Sequence, residues 1–487
     1  MLPSTASTNY ISPATKSDSG ELSSPPESAL LHRCLSERPY QVSRAEGSYL
    51  YLSDGRKILD ACGGAAVAII GHGNKEVIAA TTAQMNQVSY VHTMSYTTSS
   101  AEDLARSVLS PENCPSFDHG LVRAYFVGSG SEANDAAMKC ARQYWYELGK
   151  GRTSRKVFVS RRGGYHGNTI GAMSISGNVA RKKPYLETVL SNVAFVSPAF
   201  AYRFQQTEKG ETEDMYAHCL VEEVEAEFLR LGPENVVMFS AETVVGATTG
   251  CVSAPRGYWR GIREVCDRYG ILLHLDEIMC GTGRTGTYFA FEPEGIRPDI
   301  VTLGKGLGGG YVPIAAMLVS GKIIDVLRQG SSSFNHGHTY QAHPIACAAA
   351  LAVQDVIRKE QLIEKCYRQG KRLGVLLRKE FGDSRFVGDI RGKGLFWALE
   401  FVEDKKSKQP FHAGMGFGIS VQKQAFELGI AVYPGAGTVD GEKGDHILLA
   451  PPYNVTDEDL DNIVRILKRA YQMIERRVRG SIIDHKL

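Results

Sequence analysis

Lys305 stands among five glycines in Thr302–Tyr311, "TLGKGLGGGY", directly after the apolar run "DIVTL". A strand-end lysine that glycines keep approachable, desolvated near positive charge, has a lowered pKa and can attack a carbonyl carbon to form an imine. In "ILLHLDEIMCGTGRTG", Asp276 and Glu277 end an apolar strand, the place where open parallel sheets build ligand crevices. A carboxylate there can keep a heteroaromatic nitrogen protonated and lower the energy of an adjacent carbanion. "YFVGSGSEANDAAMKCARQYW" turns through Gly128-Ser129-Gly130-Ser131 into a helix, so free N–H groups, the helix dipole and two hydroxyls suit a dianionic phosphate. Its spacing is neither the dinucleotide fingerprint nor the P-loop. "RRGGYHGNT" holds Tyr165 and His166 between glycines, a shelf on which a planar heterocycle can stack. Thr339, in "NHGHTYQAHP", places a hydroxyl before a helix that starts near Pro344.

Each stretch alone has a plainer reading. Lys305 fits a solvated turn, Asp276 a helix cap or a partner for Arg284, and Ser129 or Ser131 an ordinary N-cap. His166 fits a loop histidine bonded to backbone, and Thr339 a loop hydroxyl.

The elements that must carry these residues are short β-rich runs, "AYFVG", "KVFVS", "VVMFS", "ILLHLD" and "DIVTLG", alternating with helical patterns. They predict an α/β core with a mainly parallel sheet across residues 96–350. Upstream, residues 31–95 include a hairpin pattern around Asp54-Gly55. Downstream, residues 351–487 read as amphipathic helices and a strand-containing unit, closing on a helix with a capping box at Thr456 and Asp459 and a stop at Gly480. Residues 1–30, rich in Ser, Thr and Pro, read as a mobile arm.

The balance of 55 basic and 53 acidic residues, net +2, argues against nucleic-acid or anionic-membrane partners. No apolar run reaches the roughly 20 residues of a membrane helix. Ten scattered cysteines without ligand spacing predict reduced thiols and no metal. The arm has Asp18, Glu21 and Glu27, unlike a mitochondrial presequence, so the cytosol is expected. The terminal His485-Lys486-Leu487 resembles a peroxisomal tripeptide with His in place of a small residue.

Together and in this order, the Ser-Gly-Ser cup, the Gly-Tyr-His-Gly shelf, the strand-end Asp-Glu and the glycine-embedded lysine resemble the class III aminotransferases, pyridoxal-phosphate enzymes of fold type I. "YLYLSDGRKILDACGG", "AETVVGATTGCVSAPRGYWRGIREVCDRYGILLHLDE" and "LLAPPYNVTDEDLD" extend the resemblance over most of the chain. It implies a seven-stranded large domain and a smaller α+β domain built by both chain ends.

It also implies that Lys305 anchors pyridoxal 5'-phosphate and shuttles a proton, Asp276 pairs with the ring nitrogen, and Tyr165 and Ile278 pack on the ring faces. Gly130 and Ser131, with Ser129 nearby, would bind the phosphate; His166 belongs to the shelf and Glu242 has a supporting role. Thr339 would reach the phosphate of a neighbouring subunit, implying a homodimer with shared sites. The reaction implied is ping-pong transfer from an amino donor to an oxo-acid acceptor. Decarboxylation or phospho-elimination on the same scaffold, or a non-catalytic cofactor-binding subunit, are the alternatives. Many relatives carry a carboxylate-binding arginine where this chain has Gly441, and some carry a bulky aromatic where ungapped alignment places Ala66. A roomier pocket for an extended amine is the expectation.

Overall fold

A computed structural model of the protein describes residues 28–149 and 154–484. Residues 1–27 of the expected arm, and the terminal tripeptide, lie outside these residues.

A seven-stranded sheet is built from β1 (Leu121–Val127), β2 (Val157–Arg161), β3 (Val193–Val196), β4 (Val236–Glu242), β5 (Leu272–Asp276), β6 (Ile300–Leu303) and β7 (Ala315–Ser320). Their order across the sheet is β1-β7-β6-β5-β4-β2-β3, and only β7 runs against its neighbours. Every residue of β4, β5, β6 and β7 is buried. Helices cover both faces of these central strands, so they show no in–out alternation of polarity. Each of Leu272, Leu273 and Leu275, fully buried on β5, contributes about 1.5–3 kcal/mol. The parallel register sets Asp276 beside Glu242 on one side and Thr302 on the other. The C-terminal ends of β4, β5 and β6 therefore form one rim, and Lys305 lies just beyond it.

Helix α1 (Gly130–Glu147) packs a small-residue face, including Ala133, Ala136, Ala137 and Ala141, against this sheet. The four-residue helix α2 (Val179–Lys182) follows β2, and α3 (Pro344–Lys359) and α4 (Leu362–Phe381) follow the sheet. Helix α3 buries Cys347 and Ala350 in the large core and Ala349, Ala352 and Val353 in the second. The expected boundary at residue 350 falls inside it.

The second core joins both ends of the chain. Strands Val42–Glu46, Tyr49–Leu52 and Lys57–Asp60 form a sheet, and Ile430–Ala431 adds to its edge parallel to Lys57–Asp60. The turn at Asp54-Gly55 is the expected hairpin, with Gly55 at φ +90°. Another four-stranded sheet contains Val387–Lys393, Phe396–Phe401, Tyr433–Ala436 and Asp445–Leu449. The last helix, α5 (Asp457–Asp484), starts as expected: Asp459 N–H donates to Thr456 Oγ1 (3.0 Å) and Thr456 N–H to Asp459 Oδ2 (3.3 Å). It does not stop at Gly480, because one glycine costs a long helix only about 1 kcal/mol.

All ten cysteines are unpaired, and all but Cys34 and Cys219 are buried. Among the described residues no helix is long and apolar enough to cross a membrane, and no cluster could hold a metal ion.

Candidate active site

A cavity of about 430 Å³ opens at the rim of β4, β5 and β6. Ser129, Gly130, Ser131, Tyr165, His166, Glu242, Asp276, Ile278 and Lys305 all line it. Topology explains the gathering, since the strand ends bring up Glu242, Asp276 and Lys305 while the loops after β1 and β2 bring up the cup and the shelf.

Asp276 is buried, and three donors hold its carboxylate. Oδ2 accepts from His166 Nδ1 (2.8 Å) and Asn134 Nδ2 (2.8 Å), and Oδ1 from Ile278 N–H (3.0 Å). Burial disfavours the charge, but the hydrogen bond and charge of His166, with help from Ile278 N–H, hold the carboxyl below its ordinary range. Arg284 donates instead to the carbonyls of Leu395 and Pro451, so Asp276 is not its partner.

Behind Asp276 the hydrogen bonds have one direction. A carboxylate only accepts, so Asn134 presents its NH₂ there and its Oδ1 must accept from Thr302 Oγ1 (2.9 Å). Thr302 Oγ1 then accepts from His274 Nε2 (3.1 Å), which leaves His274 Nδ1 to accept from Ser240 Oγ (2.7 Å). This requires a neutral imidazole, and burial pushes the His274 pKa down to about 3.

Lys305 has φ +44°, the left-handed region, which costs a non-glycine residue about 1–3 kcal/mol. The turn is fixed by Leu307 N–H to Gly304 O (2.9 Å) and Gly308 N–H to Lys305 O (3.2 Å). Its ammonium has no hydrogen bond or ion pair among the described residues. Burial lowers its pKa, and Asp276 and Glu242 oppose that only in part. Burial raises the Glu242 pKa, while its carboxylate accepts from Tyr165 N–H (3.1 Å) and Gly246 N–H (3.0 Å). Glu242 thus ties the shelf to the end of β4.

The cup lies at the start of α1. Ser129 Oγ caps the helix by accepting from Glu132 N–H (3.3 Å), and Ser131 Oγ exchanges hydrogen bonds with Asn168. The N–H groups of Gly130 and Ser131 carry no hydrogen bond among the described residues and are the open donors of the first turn. A Cβ on Gly130 would stand 2.7 Å from Ile278 Cδ1, so only glycine keeps this wall of the cavity clear.

These residues fit pyridoxal phosphate. Two open N–H groups on a helix start suit its phosphate, and an unpaired lysine suits its aldehyde. Asp276, with three of about four acceptor sites used, keeps one for a ring N–H.

Thr339 is not brought to the cavity of its own chain. It is exposed, and its carbonyl accepts from Tyr90 Oη (3.0 Å). Ala66 is also out of place: at φ +63° it is buried against the core beside Val244 and Met279, and Ala65 and Val67 line the cavity. Gly441 does not line it either, and its loop lies against α2. Sequence reasoning missed Asn134, Arg181 and Arg33. The signal for Asn134 was a polar residue on the Ala-rich buried face of a helix.

The aminotransferase class-III family profile matches residues 34–471. An uncharacterized aminotransferase of Schizosaccharomyces pombe is 46% identical over 90% of this chain and 94% of its own length. The putrescine–pyruvate aminotransferase of Pseudomonas aeruginosa is 32% identical over 88% of this chain and 89% of its own. An amine transaminase from an uncultivated Pseudomonas species, solved with pyridoxal phosphate bound, superposes with a TM-score of 0.84 at 31% identity, covering 95% of this chain and 100% of its own. This chain belongs to the class III aminotransferases, and it is a transaminase of fold type I that uses pyridoxal phosphate.

Proposed function

We propose that the protein moves the amino group of an amine or amino acid, terminal (omega) amines included, to an oxo acid, with Lys305 as the covalent anchor and proton carrier. One observation carries the assignment: an unpaired Lys305 amine with a lowered pKa shares a cavity with a carboxylate, Asp276, that is held charged.

Pyridoxal phosphate supplies an electron sink for a carbanion at the substrate carbon and holds the nitrogen between half-reactions. Asp276 keeps the ring nitrogen protonated, and His166 and Asn134 keep Asp276 ionised and oriented. Gly130 and Ser131 bind the phosphate through their N–H groups. Tyr165 and Ile278 line the ring's slot, and Glu242 fixes Tyr165 through its backbone. Lys305 Nζ would hold the cofactor's aldehyde and, as a free amine, would be the base that takes the proton from the substrate carbon.

The donor reading is supported by the putrescine named for one relative, the amine named for one solved neighbour, and the small Ala65 on the cavity wall. The active unit is a homodimer. Thr339 lies outside its own cavity on a surface that exposes Tyr90, Met94, Tyr96 and Tyr340, which supports a neighbouring subunit covering this face. The cytosol is the proposed location, with the terminal tripeptide as a route to the peroxisome.

The test is to load the enzyme with pyridoxal phosphate and follow its visible band across a panel of amines, with pyruvate as acceptor. One carbonyl product per amine consumed is expected. Lys305→Ala should bind cofactor but lose roughly 10²–10⁴-fold in rate. Carbon dioxide or phosphate release without an acceptor would refute transamination, and preference for only the smallest amines would refute the extended donor.

A further inference from the structure

Five side chains with a formal charge line the cavity: Arg33, Arg181, Glu242, Asp276 and Lys305. The two acids are engaged, Asp276 by His166, Asn134 and Ile278 N–H and Glu242 by two backbone N–H groups. Lys305 is committed to the cofactor, and the open N–H groups of Gly130 and Ser131 suit its phosphate. Two arginines remain with no ion pair among the described residues.

Arg181 is the better placed. Its guanidinium carbon lies 4.8 Å from the centre of the Tyr165 ring, and its charge is close enough to Lys305 to depress that amine further. Its backbone is fastened to the loop that carries the shelf. Asn178 N–H donates to Gly164 O (3.1 Å), His166 N–H donates to Ser176 Oγ (2.8 Å), and Asn178 Oδ1 caps α2 by accepting from Arg181 N–H (3.2 Å). Lys182 Nζ adds a bond to Ser176 O (2.7 Å). Gly441 itself brings no side chain, and its loop lies against α2, with a Cβ there 3.6 Å from Val179 N. Both arginines are exposed, but Arg181 is carried on α2, whereas Arg33 lies in a stretch before the first strand that has no regular structure.

A planar guanidinium fork matches a carboxylate with two parallel hydrogen bonds. We propose that Arg181 binds the carboxylate of the oxo-acid acceptor and so selects 2-oxo acids over neutral aldehydes and ketones. The inference rests on the transamination reading above.

The test begins with apoenzyme reconstituted with pyridoxamine phosphate, which needs no donor. Single turnovers are started with pyruvate or with propanal, which lacks the carboxylate, and the returning visible band is recorded. Arg181→Leu should lower the second-order rate constant for pyruvate roughly 10- to 100-fold, the worth of hydrogen bonds to a charged group, and that for propanal by less than about threefold. Arg181→Lys should recover part of the loss, and Arg181→Gln replaces the leucine variant if that fails to hold cofactor. Equal losses with both acceptors would overturn the assignment, leaving Arg181 as a support for Tyr165. So would an unchanged pyruvate rate, or a loss that follows Arg33→Leu instead. A wild-type enzyme that turns over neither acceptor would fail earlier, at transamination itself.

Discussion

Gly130→Ala isolates the steric requirement of the proposed phosphate cup. Gly130 opens α1 with helical geometry, where alanine is favoured by up to about 1 kcal/mol, so the backbone should not resist the change. The added Cβ would stand 2.7 Å from Ile278 Cδ1, 3.1 Å from Cγ2 and 3.3 Å from Cγ1, against the roughly 3.5–4.0 Å at which carbons pack. Cδ1 can rotate away, but Cγ2 sits on a β-branched carbon with a stiff χ1, so Ile278 must shift as a unit into the cavity it lines. Overpacking of this kind costs about 1–3 kcal/mol. Charged to the bound state alone, that weakens cofactor binding roughly 5- to 150-fold. Titration of apoenzyme with pyridoxal phosphate, read from the visible band, measures it, and the melting temperature of the apoenzyme should hold or rise. Ile278→Val, which deletes the nearest atom, should restore part of the affinity when added to Gly130→Ala. Binding by Gly130→Ala within about twofold of wild type, or a valine effect that merely adds a second loss, would refute the reasoning.

Two further predictions concern ionisation. Burial lowers Lys305 below its ordinary 10.5, so capture of pyridoxal phosphate by apoenzyme should speed up with pH and level off below that value in stopped-flow absorbance. Asp276 opposes the lowering, so Asp276→Asn should move the midpoint further toward acid; movement toward alkali would contradict the sign. Asn134→Ala leaves Asp276 Oδ2 with His166 alone, removing a hydrogen bond to a charged group worth about 1.5–3 kcal/mol. The Asp276 carboxyl should then be less depressed and protonate at higher pH, shifting the acid limb of the pyruvate half-reaction toward neutrality, and an unmoved limb would make Asn134 a space-filling residue.

The sheet was legible because its central strands are buried on both faces and therefore uninterrupted in apolarity, as in "ILLHLD" and "DIVTL". Glycines beside a lysine marked Lys305 because tight packing excludes side chains there: a Cβ on Gly304 would stand 3.1 Å from Ile278 and one on Gly306 3.1 Å from Ile69. Counting back from the Gly-His-Gly failed at Ala66. Gly63, Gly64 and Ala66 take φ of +55°, +69° and +63°, so side chains there follow no periodic face. Arg181 was invisible because a four-residue helix has no hydrophobic period, and its relation to Tyr165 depends on backbone bonds between separate loops. Long-range pairings of single polar residues, such as Asn134 with Asp276, leave no pattern in one sequence.

Asp276 and Glu277 are adjacent carboxylic acids at one strand end, both buried, yet their affinities for protons diverge. Successive strand residues point to opposite faces, so each meets a different set of partners. Glu277 accepts only from neutral donors, Thr243 Oγ1 (2.8 Å) and the N–H groups of Ala290 (2.7 Å) and Phe291 (2.8 Å), and burial prevails, raising its pKa to about 7. It fastens the turn after β5 to the segment around Phe291. Asp276 has neutral donors in Asn134 and Ile278 and, in addition, a titratable ring in His166, and with that ring the balance tips the other way. The directed chain from Ser240 through His274 and Thr302 supports it: each donor points toward the carboxylate, so no rotation of Asn134 can present its oxygen to Asp276 without breaking the bond from Thr302. A buried negative charge in the cavity that Lys305 lines thus depends on three strands and one helix holding a single hydrogen-bond polarity.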